Sequence, residues 1–224
     1  MGPTIDVETC CPARAGRTGE GEADVISRGF TGRRRPAEVE GRLPPGQYLV
    51  TDFPVLSAGP TPRTPLDRWS FTLDVAPSPV VWTWDQFLTL PSQVFTVDIS
   101  CVTKWTKLDT TWRGVSIDTL LQSVQLDPSA RYVMAFSDGG YTTNVPLAEL
   151  VNGQAFVAYE FDGKPLAPEH GAPARLVVPH LYFWKSAKWV RGLRFMDHDE
   201  PGFWEQLGYN MHGDPWKEER YSGD

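Results

Sequence analysis

The chain has 224 residues, 41% hydrophobic and 22% charged, and a formal net charge of −7 at pH 7. That length suits one domain with its own core, and the composition excludes a disordered or fibrous class. The acidic balance argues against a nucleic-acid partner, which needs a basic footprint on the protein.

Residues 1–42 read as an irregular N-terminal arm, rich in Gly, Arg and Glu and without periodicity. Arg33-Arg34-Arg35 is followed by Pro36-Ala-Glu-Val-Glu-Gly, where a twin-arginine leader needs an apolar stretch. No apolar run approaches the ~20 residues of a membrane span. A soluble cytoplasmic protein without a membrane span is therefore the expectation, with residues 43–224 as its domain.

Pro44-Pro45-Gly46 punctuates the end of the arm. Residues 48–51 predict a short strand, 53–65 a proline-studded loop, and 69–75 a half-buried strand from its alternation of apolar and polar side chains. Residues 84–90 predict a short helix stopped by Pro91, and 94–99 a strand that delivers Ser100 and Cys101 at its end. Ser116 is placed to cap a helix over 117–124. Residues 132–136, 141–145, 156–161, 175–178 and 188–195 predict further strands, Asp138-Gly139-Gly140 a turn, and 201–207 a closing helix. Strands outnumber helices without regular β-α-β alternation, so the fold class is α+β with mixed β-sheets and short helices. The 20 prolines, about twice ordinary usage, agree with short elements.

Three cysteines are present, Cys10 and Cys11 in the arm and Cys101 alone in an apolar setting. This inventory excludes zinc fingers, Cys-x-x-Cys-His haem attachment and cysteine-ligated iron–sulfur clusters. His170, His180, His198 and His212 show no paired metal-ligand spacing. Cys101 is then a buried small hydrophobe, a nucleophilic thiol, or a soft metal ligand whose other donors come with a cofactor. Between Gly171 and Met196 there is no Asp or Glu, but Arg175, Lys185, Lys188, Arg191 and Arg194 all occur. In an acidic protein that window predicts a compact anion site, with the turn 185–189 suited to a phosphate.

Six ordered segments carry a resemblance. They are Asp98-Ile-Ser-Cys-Val-Thr-Lys-Trp, Trp112-Arg-Gly-Val, Gly140-Tyr-Thr-Thr-Asn-Val-Pro-Leu, Ala158-Tyr-Glu-Phe-Asp-Gly-Lys-Pro-Leu, His170-Gly-Ala-Pro-Ala-Arg-Leu-Val-Val-Pro and Lys185-Ser-Ala-Lys-Trp-Val. Over residues 45–200 they resemble the molybdopterin-binding domain of sulfite oxidases and of the bacterial methionine-sulfoxide reductase catalytic subunit. The resemblance implies a sulfite oxidase-type molybdopterin-binding fold and one molybdenum–molybdopterin per chain. It implies Cys101 as the metal ligand and Tyr141 as a catalytic tyrosine beside the metal. Ser137, His170, Arg175, Ser186, Ala187 and Lys188 are implied to bind the cofactor. Oxygen-atom transfer on a small-molecule substrate follows, with electrons exchanged with a separate electron-transfer protein; a cofactor-free scaffold retaining the fold is the alternative. The chain departs from sulfite oxidases in three places: no dimerisation domain follows the match, residues 50–55 hold no arginine, and Thr106 stands where animal sulfite oxidases have one. The two missing arginines point toward a neutral sulfoxide or N-oxide rather than sulfite.

Overall fold

The computed structural model describes residue 39 and residues 41–224. The expected arm, with Cys10 and Cys11, lies almost wholly outside the described residues. Its last residue, Arg42, is docked: the guanidinium donates to Asp98 at 2.6 Å and to Asp109 at 2.6 Å.

In chain order the strands are β1 (Tyr48–Leu49), β2 (Ser70–Asp74), β3 (Val80–Thr83), β4 (Gln93–Ser100), β5 (Trp105–Ser116), β6 (Tyr132–Ser137), β7 (Thr142–Pro146), β8 (Phe156–Phe161), β9 (Lys164–Pro165), β10 (Arg175–Val177) and β11 (Val190–Met196). The helices are α1 (Trp84–Leu88) and α2 (Ile117–Leu121). One sheet runs β1-β5-β8-β10, with β4 also on β5 and β9 on β8; the other runs β3-β2-β11-β6-β7. Parallel pairs, β1 with β5 and β2 with β11, stand among antiparallel ones, so both sheets are mixed, in agreement with the α+β class.

Local chemistry accounts for the helices. Thr83 and Gln86 form a reciprocal capping box at the start of α1, and the Ser116 hydroxyl accepts from Thr119 N at 3.1 Å to start α2. The closing helix expected over 201–207 is not formed; the segment makes a single 3-10 turn, Glu205–Leu207, ended by Gly208 at φ 95°. The Glu205 side chain is drawn into a buried ion pair, which holds the turn where a longer helix would carry it away.

Three strands exceed the sequence expectation, β3, β5 and the two-residue β9. β3 follows closely on Pro77 and Pro79. β5 is the longest strand, yet its alternation is broken by a register shift between Arg113 and Gly114. At Gly114 a Cβ would lie 2.2 Å from the Val157 carbonyl oxygen, so only glycine lets β5 and β8 approach this closely.

The larger apolar core joins the β3-β2-β11-β6-β7 sheet to the helices and to part of β5, β8 and β10, through residues such as Phe71, Phe87, Ile117 and Leu193. A smaller cluster, including Ile99, Trp105, Trp112, Phe156 and Val177, has Cys101 at its edge. The second core fixes the backbone that presents the sulfur.

Candidate active site

β4 and β5 form a hairpin whose turn carries Cys101. Cys101 N donates to Trp105 O at 2.8 Å, and Lys104, at φ 75°, returns its N–H to Cys101 O at 3.0 Å. The Gln47 side chain donates to the same carbonyl at 3.1 Å. Cys101 is 7% exposed, and Thr103 Oγ1 donates to its sulfur at 3.2 Å. Burial raises the thiol pKa, opposed by hydrogen bonds from Thr103 and Val102. A buried sulfur with no cation beside it among the described residues is a poor setting for a free nucleophilic thiolate.

The sulfur faces a cavity of about 400 Å³, within the range of small-molecule and cofactor sites. Cys101, Tyr141, His170, Arg175, Ser186 and Lys188 all line it. The sequence separates these residues by up to 87 positions; the meeting of the two sheets brings them together.

Arg175 starts β10 and is 2% exposed, with no carboxylate partner among the described residues. Its guanidinium donates to His170 O at 2.9 Å and to Ser186 O at 2.8 Å, and lies 4.1 Å over the Phe183 ring. Burial lowers its pKa to about 9, which leaves it charged at neutral pH. Lys188 donates to Leu56 O and Glu169 O, and burial with the nearby Arg175 charge brings it down to about 8. Gly171, at φ 114°, makes this convergence possible: a Cβ there would sit 3.1 Å from the Cβ atoms of both Arg175 and Lys188. The His170 ring stacks on Phe53 at 4.0 Å, and burial, then Arg175, lowers its pKa, favouring the neutral imidazole. The Ser186 hydroxyl accepts from Val178 N at 2.9 Å.

The basic window contracts when it folds. Lys185 is buried against Glu205 at 2.6 Å, Arg191 pairs with Asp138 at 3.1 Å, and Arg194 reaches Glu200 at 4.0 Å. Those carboxylates come from outside the window, so absence of acid in the sequence did not mean absence of acid in space. Of the five cations, Arg175 and Lys188 alone have no carboxylate within salt-bridge distance among the described residues. The anion site expected from the window is thus narrowed to two residues, and Lys185 is not part of it.

Two expected cofactor contacts do not line the cavity. Ala187 is 1% exposed and sits in the larger core, where its carbonyl accepts from Leu176 N at 2.9 Å. Ser137 ends β6 one residue before Asp138, which does line the cavity; its own hydroxyl is buried without a hydrogen-bond partner.

Tyr141 lines the cavity, but its hydroxyl donates to Trp184 O at 2.6 Å, and burial, then the Glu205 charge, raises its pKa far above the usual value. Its proton is committed to the wall. A second phenol, absent from the sequence expectation, belongs to Tyr209. It stacks on Trp204 with ring centroids 5.0 Å apart, meets Trp184 edge-on at 5.1 Å, and makes no side-chain hydrogen bond among the described residues. Burial raises its pKa, followed by Tyr221 and Cys101, which keeps the hydroxyl protonated. Between them Phe53, Phe203, Trp204 and Tyr209 give the rest of the wall an aromatic character. The expected departures also acquire positions: Thr106 is fully buried, its hydroxyl 2.8 Å from that of Ser100, away from the cavity, while Phe53 and Pro54 occupy the wall.

The wall therefore combines one soft sulfur donor, two cations without acid partners, and an aromatic face with a free hydroxyl. Among the described residues no group of His, Cys, Asp and Glu is arranged to hold a metal by itself, so a metal at Cys101 would need donors from a bound group.

Residues 58–204 match the oxidoreductase molybdopterin binding domain family. The uncharacterized oxidoreductase YuiH of Bacillus subtilis is 39% identical over 197 residues, covering 87% of this chain and 100% of that protein. The putative protein-methionine-sulfoxide reductase subunit YedZ1 of Azospira oryzae is 29% identical over 151 residues, 66% of this chain and 57% of its own length. The sulfane dehydrogenase SoxCD from Paracoccus pantotrophus shares the fold at a TM-score of 0.56 and 20% identity, over 81% of this chain and 56% of that one. The chain thus spans little more than half of the second and third of these. With a family match over most of the chain and a relative aligned along its whole length, this protein belongs to the oxidoreductases of the molybdopterin-binding domain family.

Proposed function

We propose that this chain binds one molybdenum–molybdopterin, with Cys101 as the protein ligand, and reduces a small neutral sulfoxide or N-oxide using electrons delivered singly by a separate protein. The carrying observation is the distribution of charge around the cavity. Arg175 and Lys188 are the cations of the wall, and both suit the cofactor's phosphate. Once they are so engaged, no fixed positive charge is left to receive a dianion such as sulfite.

The residues fit the cofactor. A soft thiolate suits molybdenum beside dithiolene sulfurs, and Arg175 is a buried cation whose missing counter-charge a phosphate would supply. The hydroxyl of Ser186 and the imidazole of His170 stand on the same wall, and the buried hydroxyl of Ser137 next to it lacks a partner. Bound molybdopterin would supply a centre able to accept an oxygen atom and exchange two electrons. The chain's own part is to bind, orient and exclude water. The Tyr209 hydroxyl, protonated and unengaged, donates a hydrogen bond to the substrate oxygen, and the aromatic wall packs on its apolar substituents. The balance is that a sulfoxide takes up two electrons and two protons and leaves as a sulfide and water. A scaffold without cofactor would use Arg175 only as a brace between His170 O and Ser186 O, leaving its buried charge without a carboxylate partner among the described residues.

The test is metal and pterin analysis of protein made in a host competent for molybdopterin synthesis, followed by steady-state kinetics with an artificial one-electron carrier. Stoichiometric molybdenum, with sulfoxide reduction faster than sulfite oxidation, supports the reading. Fast, saturable sulfite turnover at low KM overturns the substrate assignment, and protein free of metal and pterin overturns the whole.

A further inference from the structure

Behind the aromatic wall lies a polar knot that the functional reading leaves unused. Lys185 and Glu205 are both 0% exposed in their side chains and pair at 2.6 Å. Lys185 Nζ also donates to Asn144 O at 2.8 Å, to Asn144 Oδ1 at 2.9 Å and to Met211 O at 2.7 Å. Glu205 Oε1 accepts from Trp184 Nε1 at 2.8 Å and from Thr143 Oγ1 at 3.2 Å. Its Oε2 is buried without a partner and sits close to Gly202, where a Cβ would come within 2.8 Å of it. The knot joins β7, the turn containing Trp184 and Lys185, and the segment after β11.

Its placement relative to Tyr209 is specific. Lys185 holds the chain at Glu205, four residues before Tyr209, and at Met211, two residues after it. Between these grips, Gly208 N donates to Glu205 O at 3.1 Å and Tyr209 N to Trp204 O at 3.1 Å. Trp184, bonded to Glu205, is also the ring against which Tyr209 packs edge-on. A buried ion pair is a poor way to gain stability, because apolar residues of similar shape usually do as well or better, but it fixes one arrangement of the groups around it.

The geometry points to the Lys185–Glu205 pair as the positioning device for Tyr209, setting its hydroxyl at the reacting face of the cavity. This rests on the functional reading above. Lys185 and Glu205 are positioning residues: neither lines the cavity, and both act through the segment they clamp.

Glu205→Gln keeps the shape and removes the charge. In protein carrying cofactor it is expected to lower kcat/KM for a sulfoxide about tenfold, as loss of one uncharged hydrogen bond would. In a Tyr209→Phe background, where that hydroxyl is already gone, the further loss is expected to stay below about twofold, the signature of two residues acting through one contact. Molybdenum and pterin content are expected to remain at wild-type level. Hydrogen exchange of cofactor-free protein is the readout independent of activity, with the amides of residues 204–211 exchanging faster in Glu205→Gln while the core strands keep their protection. Where that variant folds poorly, Lys185→Met/Glu205→Gln removes both charges and makes the same comparison without a buried lone ammonium. Losses that multiply in the Tyr209→Phe background, or full activity in Glu205→Gln, overturn the positioning role. A wild-type protein with neither molybdenum nor pterin overturns the functional reading itself and the positioning role with it.

Discussion

Arg175 permits a test in which cofactor-free and cofactor-loaded protein are expected to respond differently. The perturbation is Arg175→Met, which keeps much of the side-chain volume and removes the charge. Burial brings the guanidinium down to about 9, and measured from its ordinary value that is a cost on the order of 5 kcal/mol with no carboxylate to offset it. Against this, the substitution strips donors from His170 O and Ser186 O, each worth about 1–3 kcal/mol if left bare. Set against each other, these leave cofactor-free Arg175→Met between about 3 kcal/mol more stable and about 1 kcal/mol less stable than wild type. In loaded protein the charge-assisted bond to the phosphate is lost as well, about 1.5–3 kcal/mol, or roughly 10- to 150-fold in cofactor affinity. The assay pairs thermal melts of both forms with molybdenum and pterin content, using Arg194→Ala, an exposed member of the same basic window, as the control. Equal destabilisation of both forms with undiminished cofactor content would refute the phosphate role and leave Arg175 as a brace between two turns.

Cys101→Ser is expected to abolish turnover while the melt stays close to wild type, because the substitution is nearly isosteric but replaces a soft donor with a hard one; activity near wild type refutes the ligand assignment. Tyr209→Phe is expected to cost about tenfold in kcat/KM, in line with one uncharged hydrogen bond, and unchanged kinetics returns the reacting face to some other donor. His212 gives a pH prediction: burial opposes its charge, but hydrogen bonds to Glu149 and Glu219 outweigh burial and raise its pKa. A raised histidine stabilises fully below its unfolded value of about 6.5 and loses that contribution as pH rises through the folded value. Glu149, lowered by its bonds to His212 and His180 against the effect of burial, contributes above its unfolded value of about 4.3 and loses it as pH falls through the folded one. His212→Asn is thus expected to lower Tm more at pH 5.5 than at pH 9, and an equal loss at both refutes the ionic account of this contact.

Much of the fold was legible because the elements announce themselves locally. Ser116 and Pro91 signal helix ends by their own chemistry, and the β-branched and aromatic run 94–99 signals the strand that ends at the cysteine. β5 was illegible for a physical reason: its bulge at Gly114 breaks the period on which the reading depends, and the need for glycine comes from β8, 43 residues later. Of the residues that the resemblance singled out, Cys101, Tyr141, His170, Arg175, Ser186 and Lys188 line one cavity, whereas Ser137 and Ala187 do not. Tyr209 was not legible, since contacts distant in sequence set it on the wall: the clamp at Glu205 and Met211, and the bridge to Tyr221. Phe203 and Trp204 beside Tyr209 fall within the helix expected over 201–207, which hid the aromatic cluster that the cavity wall uses.

The contraction of the basic window bears directly on the choice of substrate. Counted along the sequence, five cations with no intervening acid are enough for a phosphate and an oxyanion together. In space, Asp138, Glu200 and Glu205 each approach one of them, and the pairing with Glu205 is wholly buried. What lines the cavity is two cations without acid partners, the carboxylate of Asp138, and many aromatic rings, among which Tyr209 has a hydroxyl without a hydrogen bond among the described residues. A dianion placed against those rings would give up its water for ring faces, whose negative quadrupole repels it, and for one neutral donor. A sulfoxide brings a single polarised oxygen for the phenol and apolar substituents for the rings. The same partition explains why the cations can be held at low pKa values without harm. Lys188, at about 8 in the bare cavity, would be driven back to full charge by a phosphate beside it, so the cost of burying it falls on the protein before the cofactor arrives and is relieved by binding.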